Sequence, residues 1–135
     1  MTAARRVIVE HGPASVRIRD VADSAGMAPG SVTSYFRELD ELFQEVLADA
    51  VERFSRLRRL ASEDLEDPRE RLAATTRSGL PGEPDDELCC LLYEFASPPR
   101  RRRGDADLCS ALHEGPVELY RSLLESGAAA GGRCR

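Results

Sequence analysis

Residues 18–36 read IRDVADSAGMAPGSVTSYF, and their spacing predicts two short helices joined by a tight turn. In the first helix, Ile18, Val21 and Ala22 fall at i, i+3 and i+4, which places them on one face. We expect this helix to begin near residue 16 or 17 and to end near residue 25. Ser15 is its expected N-cap, because a hydroxyl at that position accepts a hydrogen bond from the first turn.

The turn and the helix after it carry the most specific signals in the chain. Gly26 suits the left-handed conformation that ends a helix, and Pro29 suits the first position of the next one. In that next helix, Val32 and Phe36 lie four residues apart and form an apolar stripe. Its other face carries hydroxyl groups that can donate to phosphates or base edges, on Ser31, Thr33, Ser34 and Tyr35. Two short helices around a glycine turn predict a helix-turn-helix, while the spacing alone leaves a solvated connector helix equally open.

The rest of the chain shows helical periodicity and no run of alternating β-branched residues, so we expect an all-α protein. Further helices are predicted over residues 3–11, 39–60, 68–78, 86–96 and 105–126. Pro116 lies inside the last of these and predicts an irregularity there, because proline removes one backbone hydrogen bond. Residues 127–135 contain too few large apolar side chains to pack, and we expect a frayed tail.

The helix over residues 39–60 has the clearest periodicity. Its inward positions repeat at three and four residues and are Leu42, Phe43, Val46, Leu47, Ala50, Phe54 and Leu57. Four arginines, Arg53, Arg56, Arg58 and Arg59, follow in its C-terminal half, where positive charge suits the helix dipole. We interpret them as a solvated face. Residues 100–103, four more arginines after two prolines, predict a charged loop exposed to water.

Composition restricts the function. The 135 residues carry a net charge of −5, which argues against a nonspecific nucleic-acid coat, although a specific DNA reader needs only a local patch. No apolar stretch reaches the roughly 20 residues of a membrane helix, and the first residues lack the apolar run of a signal peptide. We therefore expect a cytoplasmic protein without membrane contact. The four cysteines and two histidines show no metal-ligand spacing, so we expect neither a metal nor a cofactor.

Cys109 and His113 lie one helical turn apart, and such a thiol–imidazole pair is the strongest catalytic candidate in the sequence. No oxyanion-stabilising loop or phosphate-binding glycine motif accompanies the pair. We therefore expect that the protein is not an enzyme.

Several short motifs stand at a characteristic spacing within the first 50 residues. They are AARRVI at 3–8 followed by Gly12, DVA at 20–22, AGM at 25–27, PGSVTSYF at 29–36 and DELF at 40–43. In this combination they resemble the DNA-binding domain of the TetR family of transcriptional regulators. The resemblance implies a three-helix helix-turn-helix domain over residues 1–46, a connecting helix to about residue 60, and a shortened helical regulatory domain over 65–126. Residues implied to hold the first domain together are Val21, Ala25, Val32, Phe36, Leu42 and Phe43.

The same resemblance assigns the DNA contacts. It implies that residues 29–35 form the recognition helix in the major groove, with Gly30 allowing close approach to the DNA backbone. Ser31 and Tyr35 would contact phosphates, and Thr33 and Ser34 would lie nearest the base edges. The implied DNA-binding residues are Arg17, Arg19, Pro29, Gly30, Ser31, Thr33, Ser34, Tyr35 and Arg37. For each flanking arginine, a solvated surface position is an equal alternative.

Two positions depart from the family pattern. Thr33 stands where much of the family carries tyrosine, and Leu39 stands where a lysine usually meets a phosphate. Residues 1–50 contain five arginines and eight acidic residues, a net charge of −3, which lowers the electrostatic contribution to DNA affinity. We expect DNA binding that is modest or strongly salt-sensitive.

The family also implies an oligomer. Its members are usually homodimers that span operator half-sites about one helical turn, roughly 34 Å, apart. They usually begin before the position of Ala3 and continue past that of Gly131 with two helices that pair the subunits, and we expect this sequence to lack that pairing interface. Two hypotheses stay open: a DNA-binding regulator, and a truncated ligand-binding or heterodimerising protein without operator binding.

In the family, the helical domain encloses a small hydrophobic effector whose binding shifts the connecting helix and releases the operator. The resemblance thus implies a repressor whose partners are operator DNA and such an effector. The residues that would line the effector site are Phe54, Leu57, Leu88, Leu91, Leu92, Phe95, Leu112, His113 and Tyr120. For any one of them taken singly, the pattern fits an ordinary core residue better than a ligand contact.

Overall fold

The computed structural model describes residues 1–83, 86–96 and 105–129, with the exception of the side chains of residues 96, 105–109 and 111–112. Within these ranges the chain forms seven α-helices and no strand, which confirms the predicted all-α class. The helices are α1 (Thr2–His11), α2 (Ile18–Ala25), α3 (Pro29–Tyr35), α4 (Leu39–Glu63), α5 (Pro68–Arg77), α6 (Glu87–Ala96) and α7 (Asp105–Ala129). The predicted loop over 100–103 lies outside the described residues.

Two glycines end the first two helices as predicted. Gly12 has a φ of 69° after α1, and Gly26 has a φ of 65° after α2, a region that side chains with a Cβ rarely adopt. At the second of these ends, the amide of Met27 donates to the carbonyl of Ala22 at 2.9 Å, which satisfies a carbonyl that the helix would leave free. The chain therefore turns sharply into α3, which begins at Pro29 as expected.

The N-cap predicted for α2 is wrong. The helix begins at Ile18, so Arg17 and not Ser15 is the capping residue. The backbone amide of Arg17 donates to the carboxylate of Asp20 at 2.7 Å, which fixes the start of the helix from inside its first turn. A carboxylate three residues into the helix thus replaces the expected hydroxyl before it.

One hydrophobic core joins α1, α2 and α4 to α6. Helix α4 packs one face of its N-terminal half against both α1 and α6, and the rings of Phe43 and Phe95 meet edge to face with centroids 6.1 Å apart. The buried members of this core are Ala4, Val7, Ile8, Val16, Val21, Leu42, Phe43, Val46, Leu47, Ala50, Val51, Leu88, Leu91, Leu92 and Phe95. The implied regulatory part of the chain therefore contributes to the same core as the helix-turn-helix.

Ion pairs follow the same junction. The guanidinium of Arg5 on α1 lies 2.6 Å from the carboxylate of Asp49 on α4 and 3.5 Å from that of Glu87 on α6. Arg53 on α4 lies 3.5 Å from the same Glu87 carboxylate. These partly buried charges connect three helices and set their relative rotation.

The C-terminal half of α4 is buried on a different face. There it packs against α5 and α7, and the buried positions are Arg58 and Ser62, four residues apart. Two expectations for this helix are therefore wrong: Leu57 is 48% exposed, and Arg58, expected in solvent, is only 6% exposed. The reason is that α4 meets different partners along its length, so one continuous stripe does not describe its burial. Ala25, implied as a packing residue of α2, is also exposed, because it lies at the end that turns away from α4.

Helix α7 is longer and more regular than predicted. It is helical on both sides of Pro116 and continues to Ala129, so residues 127–129 are helix and not frayed tail. An added Cβ at Gly127 would lie 3.3 Å from the Cβ of Pro68, which shows that this end of α7 packs on the start of α5. This packing stabilises the last helical turn of α7, which the residue composition predicted to be frayed. No helix in the described ranges is long and apolar enough to cross a membrane.

Helix α6 depends on a carboxylate at its start. The side chain of Asp86 accepts a hydrogen bond from the amide of Cys89 at 3.0 Å, the arrangement of an N-cap. This backbone hydrogen bond holds the pKa of Asp86 below its ordinary value of 3.8, because it favours the charged carboxylate. The cap thus orients the helix that supplies Leu88, Leu91 and Phe95 to the core.

We predict that Asp86→Ala lowers the free energy of unfolding by about 1 kcal/mol at pH 7, and that Asp86→Asn, which can still cap, costs less. Because the folded-state pKa lies below the unfolded value, the charge-dependent part of this stabilisation is complete above about pH 4 and is lost as the pH falls through the folded pKa. Urea unfolding at pH 7 and at about pH 3 measures both effects. An Asp86→Ala penalty that is equal or larger at the acidic pH would contradict the assignment.

Candidate functional site

Helices α2 and α3 contact each other, and with the residues flanking them they carry the predicted DNA-contacting side chains, here called the α2–α3 surface. Arg17 and Arg19 at the start of α2 and Arg37 after α3 are exposed, and Tyr35 at the end of α3 is 75% exposed. Of the residues expected to contact DNA, Ser31 is half-buried and the others are exposed. Val32 is buried and Phe36 packs against the core, so the apolar stripe of α3 faces inward as the spacing predicts. Most of the predicted DNA-contacting residues are therefore accessible at the surface, and their contact with DNA stays a prediction.

Two hydroxyls of this surface already have partners. The side chain of Thr33 donates to the carbonyl of Gly30 at 3.1 Å, and that of Ser34 donates to the carbonyl of Ser31 at 2.7 Å. Each hydroxyl oxygen keeps acceptor capacity while its proton is donated to the preceding turn. The two side chains are thus held in defined rotamers and can accept hydrogen bonds from outside.

Gly30 lies on the open side of α3. A Cβ built at this position would have no heavy atom within 4 Å, so the fold itself leaves this space empty. The backbone of the first turn of α3 is therefore accessible to a large surface such as the sugar–phosphate backbone.

The local charge differs from the net charge of the region. No ion pair within the described part of the chain engages the guanidinium groups of Arg17, Arg19 or Arg37. Two nearby carboxylates are used within the fold: Asp20 caps α2, and Glu41 accepts from the amide of Arg37 at 2.8 Å. Arg17, Arg19 and Arg37 are thus exposed cations beside or within the helix-turn-helix, although residues 1–50 are acidic overall, and exposed cations are what phosphates bind.

The residues predicted to line an effector site do not meet in one place. Leu88, Leu91, Leu92 and Phe95 belong to the core shared with α1 and α4, and Phe54 packs against its edge. Leu57 and His113 are exposed, Tyr120 is half-buried, and the side chain of Leu112 lies outside the described residues. Their role in ligand binding stays a prediction.

A cavity of about 440 Å³ lies elsewhere, between the C-terminal half of α4 and the middle of α7. Its lining residues are Ser55, Arg58, Arg59, Gly115, Pro116, Glu118, Leu119 and Ser122. This volume is typical of pockets for small molecules. The sequence pattern did not indicate this cavity, because most of its lining residues are polar or small.

Arg58 is the unusual residue of this cavity. Its guanidinium carbon lies 5.1 Å from the ring centroid of Phe54 and 4.9 Å from that of Tyr120. Nη1 lies against Gly79 just beyond the end of α5, where an added Cβ would come within 2.6 Å of it. Nε and Nη2 are buried and have no hydrogen-bond partner among the described residues. The two rings stabilise the cation by cation–π interaction, but half of its hydrogen-bonding capacity is unused.

The thiol–imidazole pair cannot be traced, since the side chain of Cys109 lies outside the described residues. Of the described cysteines, Cys89 has a pKa raised by burial and by the nearby Asp86 carboxylate, which disfavours a reactive thiolate. Across the described ranges, no group of three or more histidine, cysteine or acidic side chains is placed to hold a metal ion.

Comparison with known proteins gives a family match for the part of the chain that carries the α2–α3 surface. Residues 1–46 match the model of the family described as bacterial regulatory proteins, tetR family. This range contains α1 to α3 and the start of α4. No match to the chain was found among curated protein sequences.

Two solved structures share the fold over 96% of this chain and 69% of their own chains. One is the crystal structure of superantigen PfiT, with a TM-score of 0.78 and 24% identity. The other is described as a TetR family transcriptional regulator from Vibrio parahaemolyticus, with a TM-score of 0.74 and 21% identity. At such identities the likeness establishes the fold, and it confirms the predicted helix-turn-helix followed by a helical domain.

We predict that Arg58→Met leaves the free energy of unfolding unchanged or raises it by up to about 1 kcal/mol. Methionine keeps the apolar stem and removes two buried nitrogens without hydrogen-bond partners, Nε and Nη2. An unsatisfied group of this kind costs about 1–3 kcal/mol, and the desolvated cation–π contact that is lost contributes roughly 2 kcal/mol. Urea unfolding of the purified variant measures the difference. A loss above about 2 kcal/mol would mean that the two aromatic rings satisfy the cation.

Proposed function

Since residues 1–46 match the model of the tetR family of bacterial regulatory proteins, we propose that this chain is a DNA-binding transcriptional repressor. Its α2–α3 unit reads operator DNA in the major groove, and a small, largely apolar effector bound in the helical C-terminal part releases it. The observation that carries the proposal is the outer surface of α3, where two anchored hydroxyls and an open glycine backbone lie on one exposed helix.

Each residue of this surface has a proposed role. Gly30 lets the DNA backbone approach α3, and Ser31 and Tyr35 contact phosphates. Thr33 and Ser34 lie nearest the base edges, where their oxygens accept hydrogen bonds from base amino groups. Pro29 starts the recognition helix, and the three arginines supply charge to flanking phosphates: Arg17, Arg19 and Arg37.

The release mechanism follows from α4. This helix runs without interruption from the core beneath α1 and α3 to the cavity beside α7. A ligand that changes the packing of its C-terminal half therefore changes the position of the helix-turn-helix, provided that it binds the two arrangements with different affinity. We propose that two copies of the chain bind together, because an operator with two half-sites about one turn, roughly 34 Å, apart requires a pair of recognition helices.

The test is a fluorescence anisotropy titration of the purified chain against duplex DNA flanking its own gene, with a random duplex as control. Measurements at about 50 and 200 mM salt cover the range in which phosphate contacts lose affinity. Saturable binding that prefers the flanking duplex and weakens with salt supports the proposal. Equal affinity for both duplexes at both salt concentrations would instead favour a ligand-binding or heterodimerising protein that does not read an operator.

In the same assay, Gly30→Val is expected to lower affinity for every duplex by at least tenfold, because a branched side chain there would hold the DNA backbone away from α3. A Cβ at this position meets no atom of the rest of the fold within 4 Å, so we expect the fold to be kept and the melting temperature to shift by only a few degrees. Unchanged affinity in a folded Gly30→Val protein would place the DNA elsewhere.

Thr33→Ala and Tyr35→Ala separate base reading from phosphate contact. We predict that Thr33→Ala reduces discrimination at one base-pair position by about 1–3 kcal/mol, whereas Tyr35→Ala weakens binding to flanking and random duplex alike. Titrations against duplexes that differ at single positions measure the first effect. Equal losses on specific and random DNA for Thr33→Ala would exclude a base-reading role for this residue.

A further inference from the structure

We propose that the cavity between α4 and α7 binds a small amphipathic carboxylate whose acid group pairs with Arg58. The inference deepens the proposed function, since it gives a place and a chemical class to the effector. It changes the expected effector from a neutral hydrophobic molecule to an acid with an apolar body.

The state of Arg58 supplies the main argument. The side chain is 94% buried, as its 6% exposure shows, and no carboxylate within the described residues pairs with it. A buried cation without a counterion is unfavourable, and much of that cost is recovered when an anion binds. An anionic ligand therefore stabilises the buried guanidinium of Arg58 more than a neutral ligand does.

The geometry of the unused donors selects an oxyanion. Nε and Nη2 lie on the same edge of the guanidinium plane and together donate two parallel hydrogen bonds. This fork matches the two oxygens of a carboxylate, which gives a bidentate and therefore specific contact. The opposite edge of the group is turned to Gly79 and the end of α5.

The neighbouring charges point the same way. Arg59 also lines the cavity, and Arg71, on the adjoining groove between α4 and α5, has a buried Nε without a partner in the described part of the chain. The acidic residue in the lining, Glu118, is already paired with Arg121 at 2.8 Å. The cavity thus has an excess of positive charge to balance.

The remaining lining fits an apolar body. Pro116 and Leu119 contribute apolar surface to the cavity, and Phe54 and Tyr120 hold the guanidinium between their rings. Since Nε and Nη2 are shielded from water, an acid reaches them when Arg58 turns or α7 shifts. Binding at this point therefore repacks α4 against α7, the movement that release of DNA requires.

Isothermal titration calorimetry of the full chain tests the proposal with two acids, octanoate and 3-phenylpropionate, and their uncharged amides. We expect saturable binding of at least one acid, about tenfold or more tighter than its amide, because the amide cannot form the charged bidentate contact. Arg58→Met should lose this preference, and Arg77→Met, which removes an exposed arginine of α5 outside the cavity, should bind as the unaltered chain does.

Three results overturn the inference: no saturable binding of either acid at about millimolar concentration, equal binding of acid and amide, or an acid preference that survives Arg58→Met. Tighter binding of inorganic phosphate than of either acid would reassign the cavity to a phosphate ligand. The DNA-binding titration by fluorescence anisotropy, done without any acid, tests the proposed function independently of the calorimetry. Acid binding without operator binding would remove the proposed function and keep the pocket, and the reverse result would remove only this inference.

Discussion

The structure depends on α4 burying two different faces along one uninterrupted helix. Its first half packs on α1 and α6 through residues such as Phe43 and Val46, and its second half packs on α5 and α7 around Arg58. Because a helix is stiff over this length, a change in either set of contacts alters the orientation of the whole element. The α2–α3 surface lies near the N-terminal end of α4, and the α4–α7 cavity lies beside its C-terminal half.

The helices themselves were predictable because their signals are local. Gly12, Gly26 and Pro29 mark helix ends through their own backbone preferences, and the structure places the ends at these residues. The surface of α3 was equally predictable, since it follows from a short apolar stripe that fixes which side faces inward. The start of α2 was missed because the helix begins at Ile18, two residues beyond the position that a Ser15 cap implies, and the Asp20 carboxylate accepts from the amide of the capping residue Arg17.

The burial of Arg58 and the exposure of Leu57 could not be read in the same way. Both depend on where α5 and α7 pack against α4, and contacts between distant parts of the chain leave no periodic trace in α4 itself. The same holds for Leu88, Leu91 and Phe95, whose apolar pattern suited a ligand pocket and a core equally. The long-range packing that decides between them places these side chains beside α1.

The core shared by α1, α4 and α6 has a consequence for the evolution of such chains. Leu91 and Phe95 pack in the core that α6 shares with α1 and α4. At the edge of the same contact, Arg5 pairs with Asp49 and Glu87. The helix-turn-helix is therefore not an interchangeable module, because its exchange with that of another protein would leave an apolar face and unpaired charges at the joint. A recombination event that exchanges the helix-turn-helix keeps the core intact only when it also exchanges α6. Substitutions in the two parts of the chain are therefore expected to accumulate together.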